Sequence, residues 1–189
     1  YDGEAEKSLD GCSSWMLKED GSGSFSIDTA VTHDGKQSLK LSATAENIVD
    51  VNYWFGEKTV PAGAVIKLSG YAKTENLTVT GAGLRVLYGT IGLEYALGVT
   101  GTNDWTAFET TVTVAEEKAL SGTNMCFDMN GCVGTAWLQG VKLEIVTAPE
   151  QPDEPEQPKD PNVLYDGEAE KSLDGCSSWM LKEDGSGSF

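Results

Sequence analysis

The sequence predicts an all-β fold, a two-sheet sandwich of about ten strands spanning residues 1–148. Three observations carry that expectation. Apolar and polar side chains alternate at period two through most of this region. Helical periodicity is nearly absent. The alternating runs are short, separated by Gly, Asn and Asp, with Pro61 as the one proline inside the region.

The strands follow in order. FSIDTAV puts Phe25 and Ile27 on one face. QSLKLSA puts Leu39, Leu41 and Ala43 inward, with Ser38, Lys40 and Ser42 opposite. VDVNYWF gives Val51, Tyr53 and Phe55 one phase and Asp50, Asn52 and Trp54 the other. AVIKLSGYAKT turns Ile66, Leu68 and Ala72 inward, which leaves Tyr71 in phase with Lys67, Ser69 and Lys73. GLRVLYG and GLEYALGV place Arg85 and Glu94 on the polar side. FETTVTV turns Phe108, Val112 and Val114 inward. MCFDM and CVGTAW flank Asn130-Gly131, a dipeptide that predicts a type I′ hairpin. In that hairpin Met129 would face Cys132 and Cys126 would face Thr135. VKLEIV closes the region with Val141, Leu143 and Ile145 inward.

Residues 149–162 change character. Pro149, Pro152, Pro155, Pro158 and Pro161 recur at every third position. Polyproline II has three residues per turn, so these prolines form one stripe, and the stretch is expected to act as a semi-rigid spacer of about 40 Å. The acids between them repel one another and extend it further.

Residues 163–189 then begin again. Residues 165–189 repeat residues 1–25 letter for letter, YDGEAEKSLDGCSSWMLKEDGSGSF. Fold constraints alone do not preserve exposed Glu, Lys and Ser between copies, so the identity points to recent duplication within a tandem array. The reading is of one repeat plus the N-terminal segment of the next. Val163 and Leu164 precede the second copy, giving it a longer first strand. Residues 165–189 are too few to bury a core alone, so they are expected to complete a module as a donated strand or to dock on a neighbouring chain.

Charge narrows the function classes. With 30 Asp and Glu against 13 Lys and Arg, the formal net charge is −17. That opposes binding to nucleic acid, which needs clustered cations, and to anionic membrane surfaces. No apolar run approaches the length of about 20 residues that spans a bilayer. The four cysteines are Cys12, Cys126, Cys132 and Cys176, the last a copy of the first. Each full repeat thus holds an odd number, and all four are disulfide candidates, within or between repeats or chains; a free, buried role is equally open. Catalysis is not expected. His33 is the single histidine and sits in a turn sequence, which leaves little for a nucleophile–His–acid arrangement. No phosphate loop, zinc spacing or EF-hand loop is present.

Five segments together carry a family resemblance: DGEAE with Trp15 beyond it, THDGKQSLKLSA, IKLSGYAKTENLT, GTNDWTAFETTVTV and GTAWLQGVKLEIV. They resemble carbohydrate-binding modules of families 4, 9 and 22, over nearly all of residues 1–146. The resemblance implies a jelly-roll β-sandwich, non-catalytic, of the kind appended to extracellular bacterial glycanases. Many relatives carry an Asp-Asp pair near the last strand, one acid of which helps to hold a structural calcium. Here Gln139 and Gly140 stand in that place. Glu6 and the carbonyls near Asp34–Lys36 remain as oxygen donors for a structural calcium, and no other cofactor or metal is expected.

A sugar site needs aromatic faces directed outward, with amides and charges beside them. The phases single out Trp54, Tyr71, Arg85 and Glu94 as glycan- or partner-binding candidates, while Trp15, Trp105 and Trp137 are read as scaffold. Two functions follow. The first is structural: near-identical sandwiches joined head to tail by stiff spacers form an extracellular stalk or filament at the cell surface, each repeat having other copies as partners. The second is a carbohydrate-binding module repeated for avidity, with polysaccharide as partner.

Overall fold

The computed structural model describes residues 1–147. The proline-rich stretch 149–162, the second copy 163–189 with Cys176, and any strand it donates lie outside the described residues.

The described residues form one four-residue α-helix, α1 (Glu4–Lys7), a 3-10 turn at Gly89–Ile91, and nine strands: β1 (Cys12–Ser13), β2 (Gly23–His33), β3 (Lys36–Trp54), β4 (Thr59–Val60), β5 (Val65–Tyr88), β6 (Leu93–Ala96), β7 (Gly101–Thr113), β8 (Lys118–Ala119) and β9 (Asn124–Thr147). All pairings are antiparallel. The fold is the all-β jelly-roll sandwich that the sequence predicts, reached by a different division of the chain.

Three strands are far longer than the runs read from the sequence. β3 has 19 residues, and β5 and β9 have 24 each. QSLKLSA and VDVNYWF are the two halves of β3. AVIKLSGYAKT and GLRVLYG are halves of β5. MCFDM, CVGTAW and VKLEIV are all β9. The expected hairpin at Asn130-Gly131 does not form, because both sides of it pair with the same neighbours. Asn47 pairs with Cys132 and Ile48 with Asn130, which leaves Gly131 as an extra residue in the ladder. Gly131 adopts φ +60°, and a Cβ there would meet the Gly81 backbone at 2.7 Å. The dipeptide that suits a tight turn here serves a bulge.

Two sets of register breaks lie at one level across the sheet: between Ala43 and Ile48 in β3, and between Glu75 and Gly83 in β5. Below that level β2, the first half of β3, the second half of β9, the first half of β5 and β7 form one layer. Above it β1, the second half of β3, the first half of β9, the second half of β5 and β6 form the other. Bulges bend strands and increase their twist. The layers meet in a single core. Phe108 of β7 packs on Tyr95 of β6 at a ring distance of 6.1 Å, and Tyr1 reaches Phe127 at 5.7 Å.

The core follows the alternation. Leu39, Leu41, Val49, Val51, Ile66, Leu68, Leu84, Val86, Phe127, Met129, Leu138 and Val141 are buried. Each such side chain contributes about 1.5–3 kcal/mol against exposure. The N-terminal residues complete the first layer. Tyr1 and Leu143 exchange both backbone hydrogen bonds, at 3.3 and 3.0 Å. Asp2 bridges to Lys142. Together they take the place beside β9 that β3 vacates.

Candidate functional site

Three of the four sequence candidates share one surface, the outer face of the second layer. Cross-strand partners point to the same side of a sheet. Ser13 pairs with Asn52, Asn52 with Cys126, Cys126 with Leu87, and Leu87 with Glu94. In the neighbouring row Asp50 pairs with Asp128 and Asp128 with Arg85. Trp54, opposite Asn124, ends the rows. Trp54, Arg85 and Glu94 therefore face the same way.

The centre of this face is charged, with Asp50 and Asp128 buried beneath it. The Arg85 guanidinium donates from Nε to Asp128 Oδ2 at 3.0 Å, from Nη2 to the same oxygen, and from Nη1 to Glu94 Oε1 at 3.1 Å. Asp128 is buried, and its Oδ1 has no hydrogen-bond partner among the described residues. Desolvation pushes the Asp128 carboxyl above the usual carboxylate range; Arg85 opposes that shift and the Asp50 charge adds to it.

Asp50 is itself 4% exposed and is held by donors from a segment distant in sequence. Ser14 Oγ donates to Oδ1 at 2.5 Å and the Met16 amide to Oδ1 at 3.2 Å. The Trp15 amide donates to Oδ2 at 3.4 Å, and Asn52 Nδ2 to Oδ2 at 2.5 Å. Asn52 Oδ1 in turn accepts from Asn124 Nδ2. The result is a strap, residues 13–17, clasped onto the face by one buried carboxylate.

The strap corrects one expectation. Trp15, read as scaffold, is 63% exposed. Its ring lies 5.4 Å from that of Trp54, tilted by 53°. Trp54 is 38% exposed and anchors its indole N–H on Ser13 Oγ at 3.1 Å. The two indoles share this outer face with Arg85, Asp128 and Glu94, at the Trp54 end of its rows. Sequence reasoning missed Trp15, Asp50, Asn52 and Asp128. The outward phase of Asp50 and Asn52 was visible, but their bond to a strap some 35 residues earlier was not.

Tyr71 does not join them. It lies in the first layer, paired with Ala107 and Gln139, and its ring stacks on His33 at 4.0 Å. Trp105 adjoins His33 at 5.3 Å and donates to the Thr32 carbonyl at 3.0 Å. Phase placed Tyr71 outward correctly but on the other sheet. Trp137 is buried, with its indole N–H donating to Asp28 Oδ2 at 2.9 Å.

The end of the sandwich where relatives are expected to hold calcium is closed by direct hydrogen bonds. Glu6, buried, accepts from the Tyr1 hydroxyl at 2.9 Å and from the Val141 amide at 2.9 Å, one donor to each oxygen. Gln139 directs Oε1 toward His33 Nδ1 at 3.3 Å, and Lys7, Lys36 and Lys142 line the same depression. These residues do not fit a divalent cation, which needs several free oxygens. Among the described residues no cluster of three or more His, Cys, Asp or Glu is placed to hold a metal.

Of the disulfide candidates, Cys12, Cys126 and Cys132 form no bond with one another among the described residues, and Cys176 lies outside them. Cys12, opposite Tyr53, lies on the inner side and Cys126, opposite Asn52, on the outer. Cys132 is inward but pairs with Asn47, about 20 Å along β3 from the Cys12 row at a rise of about 3.3 Å per residue. Burial is the main cause raising the Cys126 thiol to about 12 and Cys132 to about 11.

No protein-family model matches the sequence, and no curated protein sequence does. Solved structures do resemble it. The CBM22-1 xylan-binding domain from Paenibacillus barcinonensis Xyn10C is 15% identical, with 73% of this chain and 87% of that chain covered and a TM-score of 0.45. A family 16 carbohydrate-binding module is 15% identical over 75% of this chain and 96% of its own, at 0.47. The enzymatically active domain of bacteriophage CBA120 tailspike protein 4 is 13% identical over 76% of this chain, at 0.49, and this chain spans 20% of it. In the course of its chain, the protein is similar to jelly-roll domains of the carbohydrate-binding module type.

Proposed function

We propose that this sandwich is a non-catalytic glycan-binding module, the reading that the sequence places second. One observation carries it: two exposed tryptophans, Trp15 and Trp54, stand with ring centres 5.4 Å apart on the face that carries Arg85, Glu94 and the buried Asp128. An indole face offers an apolar platform for the C–H face of a pyranose ring. Beside it, Arg85 presents guanidinium N–H groups to ring hydroxyls, and Glu94, whose side chain is 72% exposed, presents a carboxylate acceptor. Asp128 acts beneath them by fixing the guanidinium plane. The net charge of −17 suits neutral polysaccharides over acidic ones. An extracellular or cell-surface setting accords with a polymeric glycan ligand.

The test is retention on insoluble polysaccharides of differing linkage, followed by titration with soluble oligosaccharides. Trp54→Ala is expected to lower affinity by about tenfold or more, the loss of about 1.4 kcal/mol or more. Equal retention of wild type and Trp54→Ala on every polymer that binds, or no binding to any, would overturn the reading.

A second reading is favoured by a separate observation, the identity of residues 1–25 and 165–189. Repetition of the module in an array, as a surface stalk or filament, accords with it. The two readings are compatible, since weak sites linked in series gain avidity.

A further inference from the structure

We propose, resting on the glycan reading above, that the outer face of the second layer selects a polysaccharide whose sugars carry free amino groups. Three carboxylates stand on that face against one guanidinium. Asp50 and Asp128 are cross-strand partners, and Arg85 and Ala96 continue their row. Glu94 lies in the next row, with Leu87, Cys126, Asn52 and Ser13. Among the described residues of these two rows, Arg85 is the single cation.

That cation is already committed. Arg85 donates from Nε and Nη2 to Asp128 and from Nη1 to Glu94. Asp50 is held by neutral donors: the Ser14 hydroxyl, the Trp15 and Met16 backbone amides and the Asn52 side-chain amide. Asp128, buried, keeps Oδ1 without a hydrogen-bond partner among the described residues. Negative charge on this face thus exceeds what its own groups balance, and beside buried carboxylates such an excess acts more strongly than it does in water. Exposure tells the same way. The Arg85 side chain is 16% exposed and that of Glu94 72%. A ligand approaching the face meets a carboxylate first. An ammonium group donates to a carboxylate through a charge-assisted hydrogen bond, stronger than a neutral hydroxyl makes.

The tryptophans fit the same ligand. Trp54 ends β3 and Glu94 lies on β6, with β9 and β5 between them. Three strand spacings of about 4.8 Å separate the two by roughly 14 Å. A single sugar ring cannot serve both, but a chain of several, laid across the strands, can. Its first units would stack on Trp15 and Trp54, where an ammonium group gains a cation–π contact, for which tryptophan is the best partner. A later unit would bring its amine to Glu94. A polymer with an amine on every unit supplies both. The formal net charge of −17 steers such a polycation toward the protein.

Steering alone would draw any acidic protein to a polycation, so the experiment separates steering from selection. Three β-1,4-linked oligosaccharides of equal length are titrated into the full chain: one of glucose, one of N-acetylglucosamine and one of glucosamine. They differ only at C2. The titrations are run at about pH 6, below the range in which amines lose their proton, and at about 0.15 M salt, which screens exposed charges beyond about 8 Å. The glucosamine oligomer is expected to bind about tenfold or more tighter than the other two. Glu94→Gln is expected to remove most of that advantage. Glu116→Gln makes the same change in net charge in the bend between β7 and β8 and is expected to leave the advantage intact. Equal affinity for all three oligomers, lowered by Trp54→Ala, overturns the inference and leaves the glycan reading standing. An advantage unchanged in Glu94→Gln, or lowered equally by Glu94→Gln and Glu116→Gln, marks general attraction and also overturns the inference. Binding of none of the three overturns it together with the reading it rests on.

Discussion

Replacing Asp50 by alanine tests the strap directly. Its carboxylate accepts four hydrogen bonds, three from residues 14–16 and one from Asn52. At about 1.5–3 kcal/mol for each bond to a charged group, the gross loss is about 6 kcal/mol or more. Two effects reduce it. Trp15 and Met16 are exposed and Ser14 half-buried, so their donors recover bonds to water once the strap lifts. Removing the Asp50 charge also relieves its repulsion of Asp128. What stays uncompensated is one N–H of the buried Asn52 amide, whose other contact is the Ser13 carbonyl at 3.5 Å, and the lost order of the strap. The net expectation is about 3 kcal/mol, or roughly 10 °C in Tm for a domain of this size. Asp50→Asn keeps one acceptor and is expected to lose about half as much. Far-ultraviolet circular dichroism follows the sheet, and tryptophan emission follows the Trp15–Trp54 pair. If Asp50→Ala unfolds within about 2 °C of wild type with unchanged emission, the clasp does not hold the strap.

Two further outcomes follow from burial of ionisable groups. Glu6 and Asp128 both have carboxyls raised mainly by desolvation. An acid that binds its proton more tightly folded than unfolded lowers stability above its folded value and ceases to as pH falls through it. Stability is therefore expected to rise as pH drops from neutral into the range just above ordinary carboxylates, then fall as Asp28, held below that range by the Val31 amide and Trp137, becomes protonated. A Tm that declines steadily from pH 7 downward contradicts this, and Glu6→Gln should flatten the rise. The raised thiols of Cys126, at about 12, and Cys132, at about 11, predict slow alkylation of the native protein at pH 8, with all four cysteines modified once urea unfolds it; mass spectrometry of native Cys126 or Cys132 labelled as fast as a free thiol would contradict the burial described.

The inward faces of the strands were legible because period-two alternation needs only local sequence. Leu39, Leu41 and Ala43 on one strand, and Ile66, Leu68 and Ala72 on another, are buried as the phase requires. The division into strands was less legible. Asn130-Gly131 has the φ preference of a hairpin, and a bulge in a continuous strand asks for the same preference; only the pairing partners separate the two. Phase also says which side of a sheet a residue faces but not which sheet it is on. Trp54, Arg85 and Glu94 came together while Tyr71, with the same outward phase, went to the opposite layer. Trp15 was out of reach altogether. Its exposure depends on Asp50 gripping the backbone of the segment from another strand, and no local pattern announces such a grip. Ile145 marks the converse case, apolar and in the buried phase but half exposed, two residues beyond the Tyr1–Leu143 pairing.

The pairing of Tyr1 with Leu143 has a mechanical consequence. Because Tyr1–Asp2 runs antiparallel to the last strand, the backbone enters and leaves the sandwich at one end, side by side. Tension applied through Tyr1 and Thr147 would load the bonds between them one after another, as in opening a zipper, instead of shearing them all together. Under stretch the first part to yield would be the N-terminal segment, which carries Glu6, the strap and Trp15, so pulling on the ends would take apart the tryptophan pair while the long strands stayed joined.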